Sequence, residues 1–256
     1  MSVKTRRNKI IKILKSKNTI SIKNLADILD VSEMTLYRDI NKLDDMVLLS
    51  KGNIIYNSDD NGESSYHARV LNNKDFKMAI ARTAVKYIDK NDTIFLDGSS
   101  TIGYLASELV RSDLNLTVVT ISPVVSIELA KKENIRVVCP GGTMDKINMI
   151  YITDIKKLLS SMNINKAFLS CGAFSLDHGF MDITLGEYDI KTKIINEVSE
   201  INILADHTKM NKSHSYTWGY FDGIDRIIVD RDISKEDLER LESKNVEIVL
   251  GDIEIF

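Results

Sequence analysis

Cysteine is scarce in this chain, with two in 256 residues, Cys139 and Cys171. That count speaks against a disulfide framework and against a zinc site. No apolar stretch approaches the ~18 residues of a transmembrane helix. The N-terminus, MSVKTRRNKI, starts basic but has no apolar signal core behind it. No fixed-period repeat or low-complexity tract is visible. These absences favour a cytoplasmic protein with reduced thiols and no membrane partner. What is present is ordinary for a globular chain, 43% hydrophobic and 28% charged. The length suffices for a substantial core, as one large domain or as a small one joined to a larger one.

The net charge of −3 conceals an asymmetry. Residues 1–57 carry eleven Lys and Arg against six Asp and Glu, a surplus of +5, which leaves −8 for the remainder. A basic head on an acidic body suggests that the head meets a polyanion. Three helices fit into it. The first runs roughly over 5–16, with Ile10, Ile13 and Leu14 on its apolar face. Ser21 can cap a second that presents Ile22, Leu25, Ala26 and Leu29 at helical spacing. After a short turn, Ser32 caps a third in which Leu36, Ile40 and Leu43 face inward and Met34, Thr35, Tyr37, Arg38 and Lys42 face outward. This is the layout of a helix-turn-helix, whose second helix enters the major groove. Thr35, Tyr37 and Arg38 offer donors, acceptors and apolar surface for phosphates or bases. Val47–Ser50 and Asn53–Tyr56 flank Lys51-Gly52 and read as a wing hairpin, with Lys51 placed to touch backbone phosphates. A three-helix bundle with a solvated basic face is the bland alternative.

The stretch 57–73 is polar and lacks periodicity, so 58–73 reads as a linker in which His67 and Arg69 are solvated. A helix resumes at about 74–90, with Phe76, Ile80, Ala84, Val85 and Ile88 as its buried stripe. Beyond it, short apolar runs at 94–96, 116–120, 136–139, 167–170, 202–205, 226–229 and 247–250 predict strands. They alternate with helices near 101–111, 123–132, 154–161, 185–199 and 234–243. Such alternation indicates crossovers and a mainly parallel α/β sheet with helices on both faces.

Ligands of open α/β sheets bind at the carboxyl ends of the strands. There the chain places Asp97-Gly98-Ser99-Ser100-Thr101, then Thr120-Ile121-Ser122-Pro123, Pro140-Gly141-Gly142-Thr143, Ser170-Cys171-Gly172 and Asp206-His207-Thr208-Lys209. Taken alone, Asp97 to Thr101 is either a phosphate loop at a helix N-terminus or a helix cap. Five polar loops on one sheet edge favour a small phosphorylated ligand.

Two sets of residues carry a resemblance. ISIKNLADILDVSEMTLYRDINKLDDMVLLSKG resembles the N-terminal region of the DeoR family of bacterial sugar-metabolism regulators, the family pattern falling on Ser32, Thr35, Leu36, Tyr37, Arg38 and Asp39. The order DGSST, TIS, PGGT, AFLSCG, GEYDIK, LADHTK resembles that family's C-terminal sensor domain. The resemblance spans residues ~3 to 250. It departs from the family at LLSKGNIIYN, where an Arg and a paired Gly are usual, and at Ile152-Thr153-Asp154, where a Gly is usual. It implies a winged helix-turn-helix over 1–57, contacting double-stranded operator DNA through Ser32, Met34, Thr35, Tyr37, Arg38, Lys42 and Lys51. For 74–256 it implies an effector domain resembling the fold of ribose-5-phosphate isomerase and coenzyme A transfer enzymes. A phosphorylated sugar effector would then be held by Asp97, Gly98, Ser99, Ser100 and Thr101, with Thr120, Ser122, Gly141 and Gly142 around it. Gly172, Glu187, Lys191, Asp206 and Lys209 fall at a second group of ligand-facing positions.

Some residues admit a plainer reading. Glu187 and Lys191, four apart, could be a surface ion pair worth roughly 0.3–0.5 kcal/mol. Asp206 and Lys209 could be a loop ion pair. The cysteines read as small buried residues, and His178 and His214 as loop residues without metal-ligand spacing. Trp218, Tyr216, Tyr220 and Phe221 read as core or subunit contact. An isomerase-like enzyme with an accessory DNA-binding head is the rival function, its base and polarising groups drawn from Asp97, Glu187, Asp206 and Lys209. A basic helix-turn-helix has no use in an isomerase, so the expectation is a transcription repressor of a carbohydrate operon. It would work as a homodimer or homotetramer without enzymatic turnover, cofactor or metal.

Overall fold

The computed structural model describes residues 3–17, 19–43, 47–50, 52–56 and 65–251. Lys51, the expected wing contact, lies outside the described residues, as does most of the expected linker. The chain divides into two compact units, Met1–Asn72 and Asn73–Phe256.

The first unit opens with helix α1 (Val3–Lys17), strand β1 (Thr19–Ser21), and helices α2 (Ile22–Leu29) and α3 (Glu33–Ile40). Each of the latter two starts where a serine hydroxyl accepts a main-chain N–H of the first turn. Ser21 accepts from Asn24 and Ser32 from Thr35, both at 3.2 Å. Helix α2 stops at Asp30, which takes a left-handed conformation while Val31 N–H returns to the Ala26 carbonyl. Strands β2 (Val47–Ser50) and β3 (Asn53–Tyr56) form the expected hairpin. The residues before α2 add a third strand that the sequence reading lacks, since β1 pairs antiparallel with β3. Ile10, Leu14, Leu25, Leu36 and Ile54 are fully buried and make the centre of this unit. Tyr66–Leu71 forms a further helix, α4, within the stretch read as a linker without periodicity. His67 and Arg69 therefore sit on a helix.

The second unit begins with α5 (Lys74–Val85). A seven-stranded parallel sheet follows, from β4 (Thr93–Leu96), β5 (Leu116–Thr120), β6 (Ile135–Val138), β9 (Lys166–Leu169), β12 (Glu200–Leu204), β14 (Arg226–Val229) and β15 (Glu247–Leu250). These are the seven strands expected. Their order in space is β15-β14-β12-β9-β4-β5-β6. Alternate strand residues face two separate cores. Ile94, Leu96, Val118, Phe168 and Ile228 pack with α5, α6 (Ser100–Arg111) and α7 (Pro123–Leu129). Phe95, Val119, Leu169, Ile203 and Ile227 pack on the opposite face. There α8 (Lys156–Ser161), α9 (Leu185–Glu197) and α10 (Lys235–Glu242) supply Leu158, Ile190, Ile194 and Leu241. A sheet covered on both faces needs nearly continuous apolar strands, and that made these strands readable.

Two small additions were not expected. One is the hairpin of β7 (Thr143–Asp145) and β8 (Ile150–Ile152). The other is an antiparallel sheet of β10 (Ala173–Ser175), β11 (Gly179–Asp182) and β13 (Tyr216–Gly219). In it Phe180 stacks with Phe174 and Trp218, and it meets Phe221, which follows β13, at a tilt. Trp218 is buried core.

Candidate functional site

Chain order runs from β4 through β5 to β6 on one side of the large sheet and through β9, β12, β14 and β15 on the other. The order therefore reverses between β4 and β9, and the crevice beyond their carboxyl ends is the topological switch point where open α/β sheets take ligands. Asp97 follows β4 and Ser170 follows β9. Their loops are fastened together, since Asp97 Oδ2 accepts the Ser170 N–H at 2.7 Å and Asp97 Oδ1 accepts the Ser99 N–H at 2.8 Å. Both carboxylate oxygens thus hold backbone in place.

Ser99 caps α6, its hydroxyl accepting the Ile102 N–H at 3.2 Å. Of the two readings of this loop, the cap is thus present in the structure. It leaves room for the second, because the next two amides, of Ser100 and Thr101, have no acceptor within the helix. The Thr101 hydroxyl is buried without a hydrogen-bond partner. Gly98 is needed for a different reason. A Cβ there would run into the Ile150 side chain, which the β7–β8 hairpin lays across the loop. The hairpin is held down by Tyr151 N–H to the Ile121 carbonyl at 2.8 Å and by the Ser122 hydroxyl donating to the Met149 carbonyl at 3.3 Å. Ser122 also caps α7, and Thr120 Oγ1 accepts the Ser122 N–H at 3.1 Å. Gly141 and Gly142 both have positive φ. Gly142 abuts Ile152 and Thr153, where a Cβ would lie 2.5 Å from the Ile152 carbonyl oxygen. These two glycines thus belong to the base of the hairpin.

Lys191 projects from α9 to the centre of the crevice and is almost wholly buried. Its ammonium donates to the Ser170 carbonyl and to Asp182 Oδ2, each at 2.6 Å, and lies 3.4 Å from Asp97 Oδ2. Two hydrogen bonds and a second carboxylate within ion-pair distance thus surround the ammonium. Burial alone would lower its pKa, but Asp182 and Asp97 outweigh it and hold Lys191 above the usual lysine range. The ammonium also lies over the Trp218 ring, 5.2 Å from its centroid. So Lys191 is an internal ion-paired strut in a network reaching three chain segments, not half of a surface pair. Glu187 sits at the capped start of α9, its carboxylate accepting from the Thr184 hydroxyl at 2.9 Å while that hydroxyl accepts the Glu187 N–H at 3.2 Å.

Asp182 is the functional group that sequence reasoning missed. It ends β11, and its other oxygen accepts the Gly172 N–H at 2.7 Å. Gly172 has a close neighbour, since a Cβ there would lie 2.6 Å from the His214 ring, which would have to shift. Burial holds His214 below the ordinary histidine pKa. Cys171 is buried beside it, and burial pushes its thiol up to about 12, which keeps it protonated.

The loop after β12 closes the crevice. Lys209 Nζ donates to the Ser170 hydroxyl at 2.9 Å. Asp206 accepts from the Thr208 hydroxyl and from Asn73 Nδ2. Burial would raise its pKa, but Lys209, Thr208, Lys77 and His207 hold it below the usual carboxylate value. Asp97, Ser99–Thr101, Gly172, Lys191, Asp206 and Lys209 are thus gathered at one sheet edge. Glu187 sits one turn nearer the start of α9. Among the described residues no group of three His, Cys, Asp or Glu is arranged to hold a metal ion, and no helix is long and apolar enough to cross a membrane.

In the first unit, Met34 is 64% and Tyr37 39% exposed, and Ser32, Arg38 and Lys42 are also at the surface. Ser32 is occupied at the cap, where its hydroxyl also meets that of Thr35 at 3.0 Å.

Comparison with known proteins bears on both units. Residues 72–231 match the family model described as the DeoR C terminal sensor domain, and residues 6–55 match an HTH domain model. The chain is 32% identical to the HTH-type transcriptional regulator YulB of Bacillus subtilis, over 97% of this chain and 96% of that one. It is 29% identical to the L-fucose operon activator of Escherichia coli, over 88% and 94% of the respective chains. With the HTH-type transcriptional repressor GlcR of Bacillus subtilis it shares 28% identity over 94% and 93%. Among solved structures, ribose 5 phosphate isomerase A from Neisseria gonorrhoeae aligns with 52% of each chain at a TM-score of 0.40 and 16% identity.

Proposed function

The chain belongs to the DeoR family of HTH-type transcriptional regulators, and from that premise we propose that it represses a carbohydrate catabolic operon under the control of a phosphorylated sugar. The observation that carries the effector reading is the convergence of Lys209, the unpartnered Thr101 hydroxyl and the first turn of α6 at the switch point of the sheet. Lys209 supplies a cation, and the Ser100 and Thr101 amides supply the donors that a phosphate takes at a helix N-terminus. Asp206 and Glu187 supply acceptors for sugar hydroxyls. Lys191, neutralised by Asp97 and Asp182, fixes the Ser170 carbonyl and Asp97 and leaves the phosphate charge to Lys209. The sign of regulation is taken from the relative named a repressor, set against one named an activator, and a promoter reporter in a deletion strain decides it.

Ligand binding alters DNA affinity only through unequal affinity for the DNA-competent and DNA-incompetent arrangements. Helix α5 is the element that carries the difference, and a homodimer or homotetramer on paired half-sites suits a small groove-reading head. The reading is tested by melting the full chain with a panel of pentose and hexose phosphates beside the same sugars unphosphorylated. A rise in melting temperature and a change in DNA affinity with a phosphorylated member are expected. Replacing Ser99 and Ser100 by bulkier residues should abolish that response and spare DNA binding. A response that survives those replacements, or that the free sugars match, overturns the phosphate loop. Isomer formation in the same incubations would overturn the regulator-only reading.

A further inference from the structure

The crevice at the carboxyl ends of the large sheet is short of positive charge for the ligand proposed to fill it. Asp97, Asp182, Asp206 and Glu187 bring four carboxylates there, against the three ammonium groups of Lys191, Lys209 and Lys77. Lys191 is paired with Asp97 and Asp182, and the charge of Lys77 acts on Asp206. That leaves Lys209 and the roughly half-charge of the α6 N-terminus to meet a phosphate dianion. A dianion placed there is under-compensated in a partly desolvated site, which is unfavourable.

His214 stands where a further cation is needed. It lies in the loop between β12 and β13, five residues after Lys209, and its half-buried ring packs on Gly172. A hydrogen bond to the Gly172 main chain holds it there. In a neutral imidazole one nitrogen donates and the other accepts, so the ring can take one more proton. The charged groups about it are Asp182 on β11 and Lys209 and Lys212 on its own loop. Asp182 is close, but one of its oxygens holds the Gly172 N–H and the other holds Lys191. Cys171, beside Gly172, is a neutral thiol. Burial keeps the free ring uncharged at neutral pH, and the charges of Lys209 and Lys212 oppose its protonation further. An anion at Lys209 reverses the last effect, because it offsets a repelling charge and attracts the proton. His207 differs, since its ring already meets Asp230 Oδ1 at 2.7 Å and a proton there is matched by a carboxylate of its own.

We infer that His214 is the second cation of the anion site, uncharged in the free protein and protonated when a phosphate dianion binds beside Lys209. The proton passes from solvent to the accepting ring nitrogen. Binding therefore takes up a proton and strengthens as the pH falls. The inference rests on the phosphorylated-effector reading, and it adds a preference for dianionic ligands over singly charged sugar acids.

Inorganic sulfate is the probe, because it stays a dianion throughout the range and brings no titration of its own. Its affinity for the full chain is measured by equilibrium dialysis at about pH 8 and about pH 6, on either side of the ordinary histidine value. The wild type should bind about tenfold tighter at the lower pH, the scale of one added charge beside an anion in a partly buried site. His214→Gln should bind equally at both, with the affinity of the wild type at the higher pH. His207→Gln should keep the wild-type dependence. Should His214→Gln fail to fold, the ring-proton NMR signal of His214 in the wild type decides, its titration midpoint rising when sulfate is added. The inference is overturned if the wild type binds equally at both pH values, if a folded His214→Gln keeps the dependence, or if that midpoint stays put. Sulfate that binds at neither pH overturns the phosphate site itself, and the inference with it.

Discussion

The Asn73 amide donates to Asp206 Oδ1 at 3.2 Å and to the Thr208 hydroxyl at 3.0 Å, so the first residue of the second unit is fastened to the loop that closes β12. Asn73 takes a left-handed conformation ahead of α5 and gives that helix no side-chain cap, its amide being spent on the loop. One turn on, Phe76 meets the His207 ring edge-on at 5.1 Å. A ligand that engages Asp206 or Lys209 therefore pulls on the start of α5. Asn73→Ala is expected to shrink the ligand-induced change in DNA affinity by about 1 kcal/mol, roughly fivefold. DNA affinity without ligand should change less. Anisotropy titrations with and without the active sugar phosphate read both numbers, and an undiminished response removes Asn73 from the route.

Lys191→Met should destabilise the second unit by about 3–5 kcal/mol, because it strands Asp97 and Asp182 in the interior without their cation. Urea unfolding of the ligand-free chain measures this. If Lys191 only served to hold ligand, the ligand-free variant would melt like the wild type.

His214 gives the second unit a pH dependence with a definite sign. Its folded pKa lies below the usual ~6.5, chiefly through burial, so the unfolded chain takes up the proton first. The stability it contributes is complete above ~6.5 and is lost as pH falls toward the lower folded value. The thermal midpoint should accordingly drop between about pH 7 and 5, and His214→Gln should flatten that part of the curve. Asp206, also held low, adds a loss only in the more acidic carboxylate window. Identical slopes for the two proteins would show that His214 does not titrate with unfolding.

Gly98→Ala should cost about 1–3 kcal/mol by overpacking against Ile150, which is buried over the loop. The cost is specific to that side chain. Shortening it, as Ile150→Ala in the same protein, should recover part of the stability, giving a coupling measurable in a double-mutant cycle by denaturation. Additive losses would mean that the hairpin moves aside freely.

The large sheet was legible because its strands are buried on both faces. Runs such as Ile94–Leu96 and Ile227–Val229 have no polar interruption, and Ser21 and Ser32 mark helix starts that the structure bears out. What escaped was short and set by distant partners. Strands β10, β11 and β13 are three or four residues each, and Gly179–Asp182 is buried throughout, so no alternation announced it. Asp182 went unread for that reason, its sole sequence signal being an acid nine residues before Lys191. Strand β1 exists by virtue of β3, and α4 lies in a segment whose composition resembles a loop. Arg6 and Arg7 counted toward the basic head, but their position depends on an ion pair with Asp39, which is remote in sequence.

A wholly parallel sheet ends every one of its strands at the same rim, and the apolar residues that hold it together lie on its two faces, away from that rim. Most of the packing is consequently held away from the rim, although Lys191 and Gly98 at the rim also fasten its loops. Substitutions among the rim loops can exchange one small metabolite for another while both packed faces stay untouched. On the proposed reading, a chain built this way can change its effector by a few loop substitutions and leave α3 as it is, or change α3 and keep its effector.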